Sequence, residues 1–224
     1  NGGQCSASNL GIALSEGDYI KFFDADDLMN ELHVELLLGA ISGKDDEVCF
    51  CSWARFSSDI AKAKPVVELY STSSVPVEWL KLSLSCKYDM MPAWFWLIPR
   101  QLLKRAGGWN EQLSLNNDFE FSIRLLLHAK YVHYVPGALI YYRSGSPSLS
   151  AIKSELSFKK AIHSARLGCC YLLEVENSLL MRRLCANKLC FWLFEMYPDY
   201  PALIRELEND IKMLGGANRK LDDS

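Results

Sequence analysis

The stretch GDYIKFFDADD, Gly17–Asp27, sets an apolar run against an abrupt acidic end. Tyr19-Ile20-Lys21-Phe22-Phe23 has the length of a buried strand, and Gly17-Asp18 before it has turn chemistry. Read as a strand, it leaves Asp24, Asp26 and Asp27 at its C-terminal end, the edge where open α/β sheets bind ligands. Strand alternation puts Asp24 and Asp26 on one side. Two carboxylates held together repel unless they share a cation or a proton. Oxygen-only ligands favour Mg or Mn over zinc. The same residues fit a solvated acidic turn equally well, since Asp is a common turn and cap residue.

The surrounding pattern alternates helix and strand. Residues 5–15 predict a short helix with Leu10, Ala13 and Leu14 as its apolar stripe, ended by Gly17. A second helix follows over residues 30–41, with Leu32, Leu36, Leu37 and Ala40 at helical spacing, and Glu47–Phe56 predicts a second strand. Strand, helix, strand implies a crossover between neighbouring parallel strands, and so an α/β fold with a mixed, mostly parallel sheet flanked by helices. Residues 57–74 read as a loop with some extended structure, 75–87 as a helix with Pro76 in its first turn, and 93–98 as a third strand. A helix over 99–106 stops at Gly107-Gly108. Asn116-Asn117-Asp118 has the chemistry of a side-chain cap on a helix carrying Phe119, Phe121, Ile123 and Leu125–Leu127. Two short strands, 131–135 and 138–142, flank Pro136-Gly137, and 144–150 reads as a mobile loop.

Beyond residue 150 the pattern turns helical, with segments at 155–176, 178–197 and 201–214 and a frayed polar tail from 217. The organisation expected is a domain over 1–150 and a helical extension over 151–224.

Composition narrows the class. The chain has 224 residues, half of them hydrophobic, so a sizeable core is expected. A formal charge of -3 carries no nucleic-acid footprint. No apolar run is long enough to span a bilayer, and the N-terminus has no signal-peptide pattern. The start at Asn1-Gly2-Gly3, without Met, reads as a fragment or processed form. Eight cysteines without C-x-x-C spacing predict buried free thiols in a reducing compartment, and four scattered histidines make no zinc site.

Two constellations carry chemistry: Asp24-Ala25-Asp26-Asp27, and Asn117-Asp118-Phe119-Glu120 behind the turn Gly107-Gly108-Trp109. A metal-held phosphate leaving group and a separate carboxylate base together suit group transfer to a hydroxyl. At these residues the chain resembles glycosyltransferase family 2, inverting enzymes of the nucleotide-sugar-binding GT-A fold. Asn1–Gly11 and Gly17–Asp27 are similar to the family's Ala-x-Asn-x-Gly helix and D-x-D strand end, and Ala106–Glu111 and Asn117–Glu120 to its Gly-Gly-aromatic turn and acidic catalytic motif. Residues 136–150, with Tyr141-Tyr142-Arg143, resemble its closing strand and lid.

The resemblance implies an inverting transfer of a sugar from a nucleoside-diphosphate sugar to a polysaccharide, lipid-linked or protein acceptor. It implies Asp24 and Asp26 as ligands of Mg or Mn, with Asn9, Asp24, Asp26 and Arg143 on the donor side. Asp118 is implied as the general base, and Trp94, Trp109 and Asn117 on the acceptor side, although Trp94, Trp96 and Trp109 fit the core equally well. It further implies a cytoplasmic enzyme, peripheral to the inner face of a membrane. Three departures accompany it. The family's opening β-α-β segment is absent, which predicts weak donor binding by this chain and a bare edge on the first strand, open to self-association there or through the C-terminal helices. Asn117 stands where the family often has an acid, and Ser144-Gly145 where many members have a His. Two alternatives stay open: a haloacid-dehalogenase-like phosphatase, which wants Thr or Val where Leu28 stands, and a non-catalytic interaction module.

Overall fold

The computed structural model describes residues 2–86, 91–145 and 154–219. The helices are α1 (Gly3–Leu14), α2 (His33–Ile41), α3 (Pro76–Ser85), α4 (Arg100–Ala106), α5 (Asn117–Leu127), α6 (Glu155–Val175), α7 (Leu179–Met196) and α8 (Pro201–Met213). The strands are β1 (Tyr19–Ile20), β2 (Leu28–Met29), β3 (Glu47–Phe56), β4 (Pro65–Val66), β5 (Trp96–Pro99) and β6 (Tyr131–Arg143). They form one mixed sheet in the order β1-β5-β3-β6-β2, with β4 also on β3. The α/β class with a mixed sheet holds.

The parallel share is smaller than expected. Among the described strand pairs only β3–β6 is parallel, and the other four are antiparallel. The cause is β5. It inserts between β1 and β3 and runs antiparallel to both, so those two strands share a direction without touching. A pairing between segments this far apart in sequence leaves no local signal. Among the described residues β1 pairs with β5 alone and ends the strand order. The two strands expected at 131–142 are one. Its register against β3 shifts between Cys51 and Ser52, whose partners are Val135 and Leu139. Pro136, which lacks an N–H, sits in that bulge.

β3 is buried at every position but Glu47 and Arg55, because helices cover both faces of the sheet. Phe50 lies at the core's centre, with its ring 5.3 Å from Trp79 and 5.8 Å from Trp96. Trp96 Nε1 donates to Ser122 Oγ at 3.0 Å, and Ser122 Oγ donates to the Met91 carbonyl at 2.8 Å, which pins α5 to β5. The core continues past residue 150: Cys169, Leu172, Met181, Leu184 and Cys185 belong to it. A second cluster, including Phe158, Ile162, Leu189, Leu203 and Leu207, forms the seam of α6, α7 and α8.

The α1 stripe is corrected. Leu10 and Leu14 are exposed, and the inward face carries Cys5, Asn9 and Ile12, because polar contacts rather than leucines dock this helix. Similarly, α2 buries His33, Leu37 and Ile41 and exposes Leu32 and Leu36. All eight cysteines are free, and all but Cys170 are buried. The lid expected at 144–150 lies, after Gly145, outside the described residues, as do Lys87 and the tail from 220. Asn218 is tied to Asn187 through paired amide contacts of 2.8 and 2.9 Å, so the described part of the tail is held. Among the described residues no helix is long and apolar enough to cross a membrane.

Candidate functional site

The acidic stretch is a turn rather than a strand end. Pairing stops at Ile20, and the Asp27 N–H donates to the Asp24 carbonyl at 3.2 Å. The turn, not strand alternation, therefore brings Asp24 and Asp26 together. Asp24 lies on the exposed side, and its carboxyl is pushed up by burial of the group and by the charge of Asp26. Asp27 turns the other way. It is buried, with Oδ1 accepting from the Arg143 N–H at 2.8 Å and Oδ2 without a partner. Burial raises its carboxyl to about 6, against the opposing pull of that N–H. No role was assigned to Asp27 from the sequence, although a third acid directly behind the pair was the available signal.

Arg143 clamps this turn. Its Nε donates to the Asp26 carbonyl at 2.8 Å, one Nη reaches the Ser57 carbonyl at 3.3 Å, and the guanidinium lies 4.4 Å from the Phe56 ring centre. Its donors face backbone oxygens, so Arg143 shapes the acidic turn instead of lining the cavity beside it.

That cavity measures about 300 Å³ and is lined by Gln4, Ala7, Ser8, Phe22, Phe23, Asp24, Ala93, Trp94, Trp109 and Asp118. It joins the two acidic constellations, which are 94 positions apart in sequence. Gln4, Ala7 and Ser8 are one face of α1, at helical spacing that was visible in the sequence. Lys21 Nζ donates to the Trp94 carbonyl at 2.8 Å and ties the first strand to the short turn that carries Ala93 and Trp94.

Asp118 opens α5, but not as a cap. Asn116, the cap residue, makes no side-chain cap hydrogen bond and adopts the left-handed φ of 58°. α6 holds it there: Ser164 Oγ donates to its carbonyl at 2.5 Å and its Nδ2 donates to the Ala161 carbonyl at 3.4 Å. The Asp118 carboxyl is raised to about 7, first by burial and then by the charge of Asp24, while the Ala93 N–H pulls the other way. A carboxyl near neutrality can accept a proton at physiological pH.

Behind the cavity, three rings connect the acidic elements. Trp109 stacks on Phe121 at 4.2 Å and 3°, and Phe22 stands edge-on to both at 5.2 and 5.6 Å. Trp94 and Trp109 line the cavity, whereas Trp96 is fully buried. Asn117 is placed elsewhere: it is buried, and its Nδ2 donates to Cys5 Sγ at 3.2 Å. Asn9 is also absent from the lining. Its Nδ2 donates to the Trp109 carbonyl at 3.0 Å and to Glu111 at 2.8 Å, while its Oδ1 accepts from the Trp109 N–H at 2.7 Å. A Cβ on Gly108 would stand 2.5 Å from that Oδ1, so only glycine admits the contact.

Known proteins share this architecture. S. aureus TarS 1-349 in complex with UDP-GlcNAc matches with a TM-score of 0.70 and 14% identity, over 95% of this chain and 61% of that one. A structure of GalNAc-T7 with UDP, GalNAc and Mn2+ matches with a TM-score of 0.54 and 14% identity, over 96% of this chain and 42% of that one. At these identities the likeness shows the GT-A fold. In sequence, the chain is 28% identical to the uncharacterized glycosyltransferase EpsJ of Bacillus subtilis over 156 residues, 68% of this chain and 45% of that protein. The chain therefore spans less than half the length of EpsJ. A family model for "Glycosyltransferase like family 2" matches residues 2–172, about three quarters of the sequence, and the chain belongs to that family.

Proposed function

We propose that this chain carries the centre of an inverting glycosyltransferase, which moves a sugar from a nucleoside-diphosphate donor to a hydroxyl of a glycan or lipid-linked acceptor. One observation supports it above the others: Asp24 and the near-neutral Asp118 line the same cavity, with two tryptophans between the acidic turn and the helix. The relatives bear on the donor, since TarS is seen with UDP-GlcNAc and GalNAc-T7 with UDP and Mn2+. Membership of the glycosyltransferase family leaves the phosphatase alternative without support.

The residues fit a divalent cation. Asp24 and Asp26 are hard oxygen donors, and the upward push that the Asp26 charge adds to burial at Asp24 is what a cation would relieve. Among the described residues no third His, Cys, Asp or Glu converges on them, so the donor's phosphate oxygens and water would complete the shell. When bound there, Mg or Mn neutralises charge on the departing diphosphate.

The protein's own groups do the rest. Trp94 and Trp109 flank the acceptor, and the acceptor oxygen attacks the anomeric carbon in line with the departing diphosphate. The new C–O bond forms as the bond to phosphate breaks, inverting the configuration, while Asp118 takes the hydroxyl proton. Arg143 and Asn9 act at one remove, holding the acidic turn and the Trp109 turn.

Calorimetry on the intact polypeptide with UDP-GlcNAc and Mn tests this reading. Asp26→Ala should abolish metal-dependent donor binding, whereas Asp118→Ala should keep binding and lose turnover. Equal donor affinity for wild type and Asp26→Ala would overturn the metal role, and unimpaired turnover in Asp118→Ala would overturn the base.

A further inference from the structure

Arg124 is the most heavily engaged side chain near the cavity, and it does not touch it. Its guanidinium has five N–H donors, and five contacts account for them. Nε donates to Glu120 Oε1 at 2.7 Å, and Nη2 to Glu120 Oε2 at 3.0 Å and to the Gly108 carbonyl at 2.8 Å. Nη1 donates to the carbonyls of Ala106 at 2.5 Å and Gly107 at 3.1 Å. Three successive carbonyls at the end of α4, which a helix terminus leaves without partners, are thus gathered by one fork. Glu120 is 1% exposed, so its charge depends on that pairing. Tyr171 of α6 donates to the same carboxylate at 3.3 Å.

The gathered segment leads directly into Trp109. Asn9 grips the Trp109 backbone on both sides, and the indole rests on Phe121, whose ring lies 5.9 Å from the Arg124 guanidinium carbon. Displacing the carbonyls of 106–108 therefore moves a wall of the cavity.

We infer that Glu120, Arg124 and Tyr171 form a positioning unit that sets Trp109 for the acceptor and makes the C-terminal helices part of acceptor recognition. The unit acts through Trp109 and not on the donor side, where Asp24 and Asp26 stand on the separate turn held by Arg143. The inference rests on the glycosyl-transfer reading of the cavity.

Arg124→Lys keeps the charge but loses the fork, and Tyr171→Phe removes one hydroxyl without changing volume. Transfer from UDP-GlcNAc with Mn to a panel of methyl glycosides gives the acceptor KM, and calorimetry with UDP and Mn gives the donor side. Arg124→Lys should raise the acceptor KM about tenfold or more and Tyr171→Phe about threefold, with UDP affinity unchanged in both. Hydrogen exchange at residues 106–111 supplies a readout independent of catalysis and should quicken about tenfold in Arg124→Lys. Unchanged exchange there overturns the inference even if the wild type binds no UDP, an outcome that would instead count against the glycosyl-transfer reading. An unchanged acceptor KM in Tyr171→Phe, or a fall in UDP affinity matching the acceptor effect, overturns the role given to the C-terminal helices.

Discussion

The acidic turn and the start of α5 use the same residue in opposite surroundings. Asp24 and Asp26 stand on an exposed turn, where burial of the group and then the charge of Asp26 raise the Asp24 carboxyl. Asp118 stands at a helix start, raised to about 7 first by burial and then by the charge of Asp24 across the cavity. Two carboxylates held close favour a shared cation, whereas a carboxyl raised toward neutrality holds a proton that it can exchange there. The scaffolds differ too. The turn is held by one arginine from the end of β6, while α5 is braced by β5, α4 and α6 together.

Asp118→Asn is the strongest way to break this comparison. Removing the base should lower turnover by about 10²–10⁴-fold and leave donor affinity intact. In the wild type, kcat should rise with pH through a midpoint near 7, the value to which burial brings Asp118. The residual activity of Asp118→Asn should lack that step. An unchanged profile would place the base elsewhere.

The same substitution has a thermodynamic signature. Asp118 keeps its proton up to about 7 in the fold, against an ordinary value of 3.8. Between those values the native state binds more protons than the unfolded chain, so stability falls as pH rises through this window and levels off above it. Asp118→Asn should therefore be more stable than the wild type at pH 8, by an amount on the order of a few kcal/mol, and no more stable at about pH 4. Denaturant titration at the two pH values measures the difference.

The two regions also differ in how far their sequences disclosed them. β3, α5 and the three C-terminal helices were legible because each is a long apolar-rich segment bounded by turn or cap residues, and their observed bounds fall within a few residues of the expected ones. Both acidic constellations were legible as well, and the cavity joins them. What stayed hidden depends on partners distant in the chain. The insertion of β5 beside β1 joins residues 20 and 98, and Asn9 meets Trp109 across 100 positions. α1 misled for a related reason: its leucines face outward, and the contacts that dock it are hydrogen bonds to distant backbone, which carry no periodic signal.

Gly168→Ala probes how firmly the C-terminal helices brace the start of α5. A Cβ at 168 would stand 2.5 Å from a Phe119 ring carbon and 3.0 Å from Ile123 Cδ1, both on α5. Overpacking at this seam should cost about 1–3 kcal/mol and displace α5, whose first turn carries Asp118. A thermal melt reads the first effect, and an activity loss exceeding that of a comparable surface substitution reads the second. Full stability and full activity would mean that α6 lies on α5 without constraining it.

The mildest test falls on the acidic turn, at its buried member. Asp27 is raised to about 6, so it adds its own decline in stability between about pH 4 and 6, below the window in which Asp118 finishes titrating. Asp27→Asn keeps an acceptor for the Arg143 N–H and removes the titrating group. The change also places an amide where Oδ2 already lacks a partner, so absolute stability is a mixed reading, and the slope with pH is the cleaner one. Denaturant titration across pH 4–6 should show a flatter slope than the wild type, by about 2 kcal/mol over the interval, with the later decline toward 7 retained. If instead the whole decline persisted in Asp27→Asn and vanished in Asp118→Asn, proton holding would belong to the helix alone, and the acidic turn would be a purely charged element clamped by Arg143.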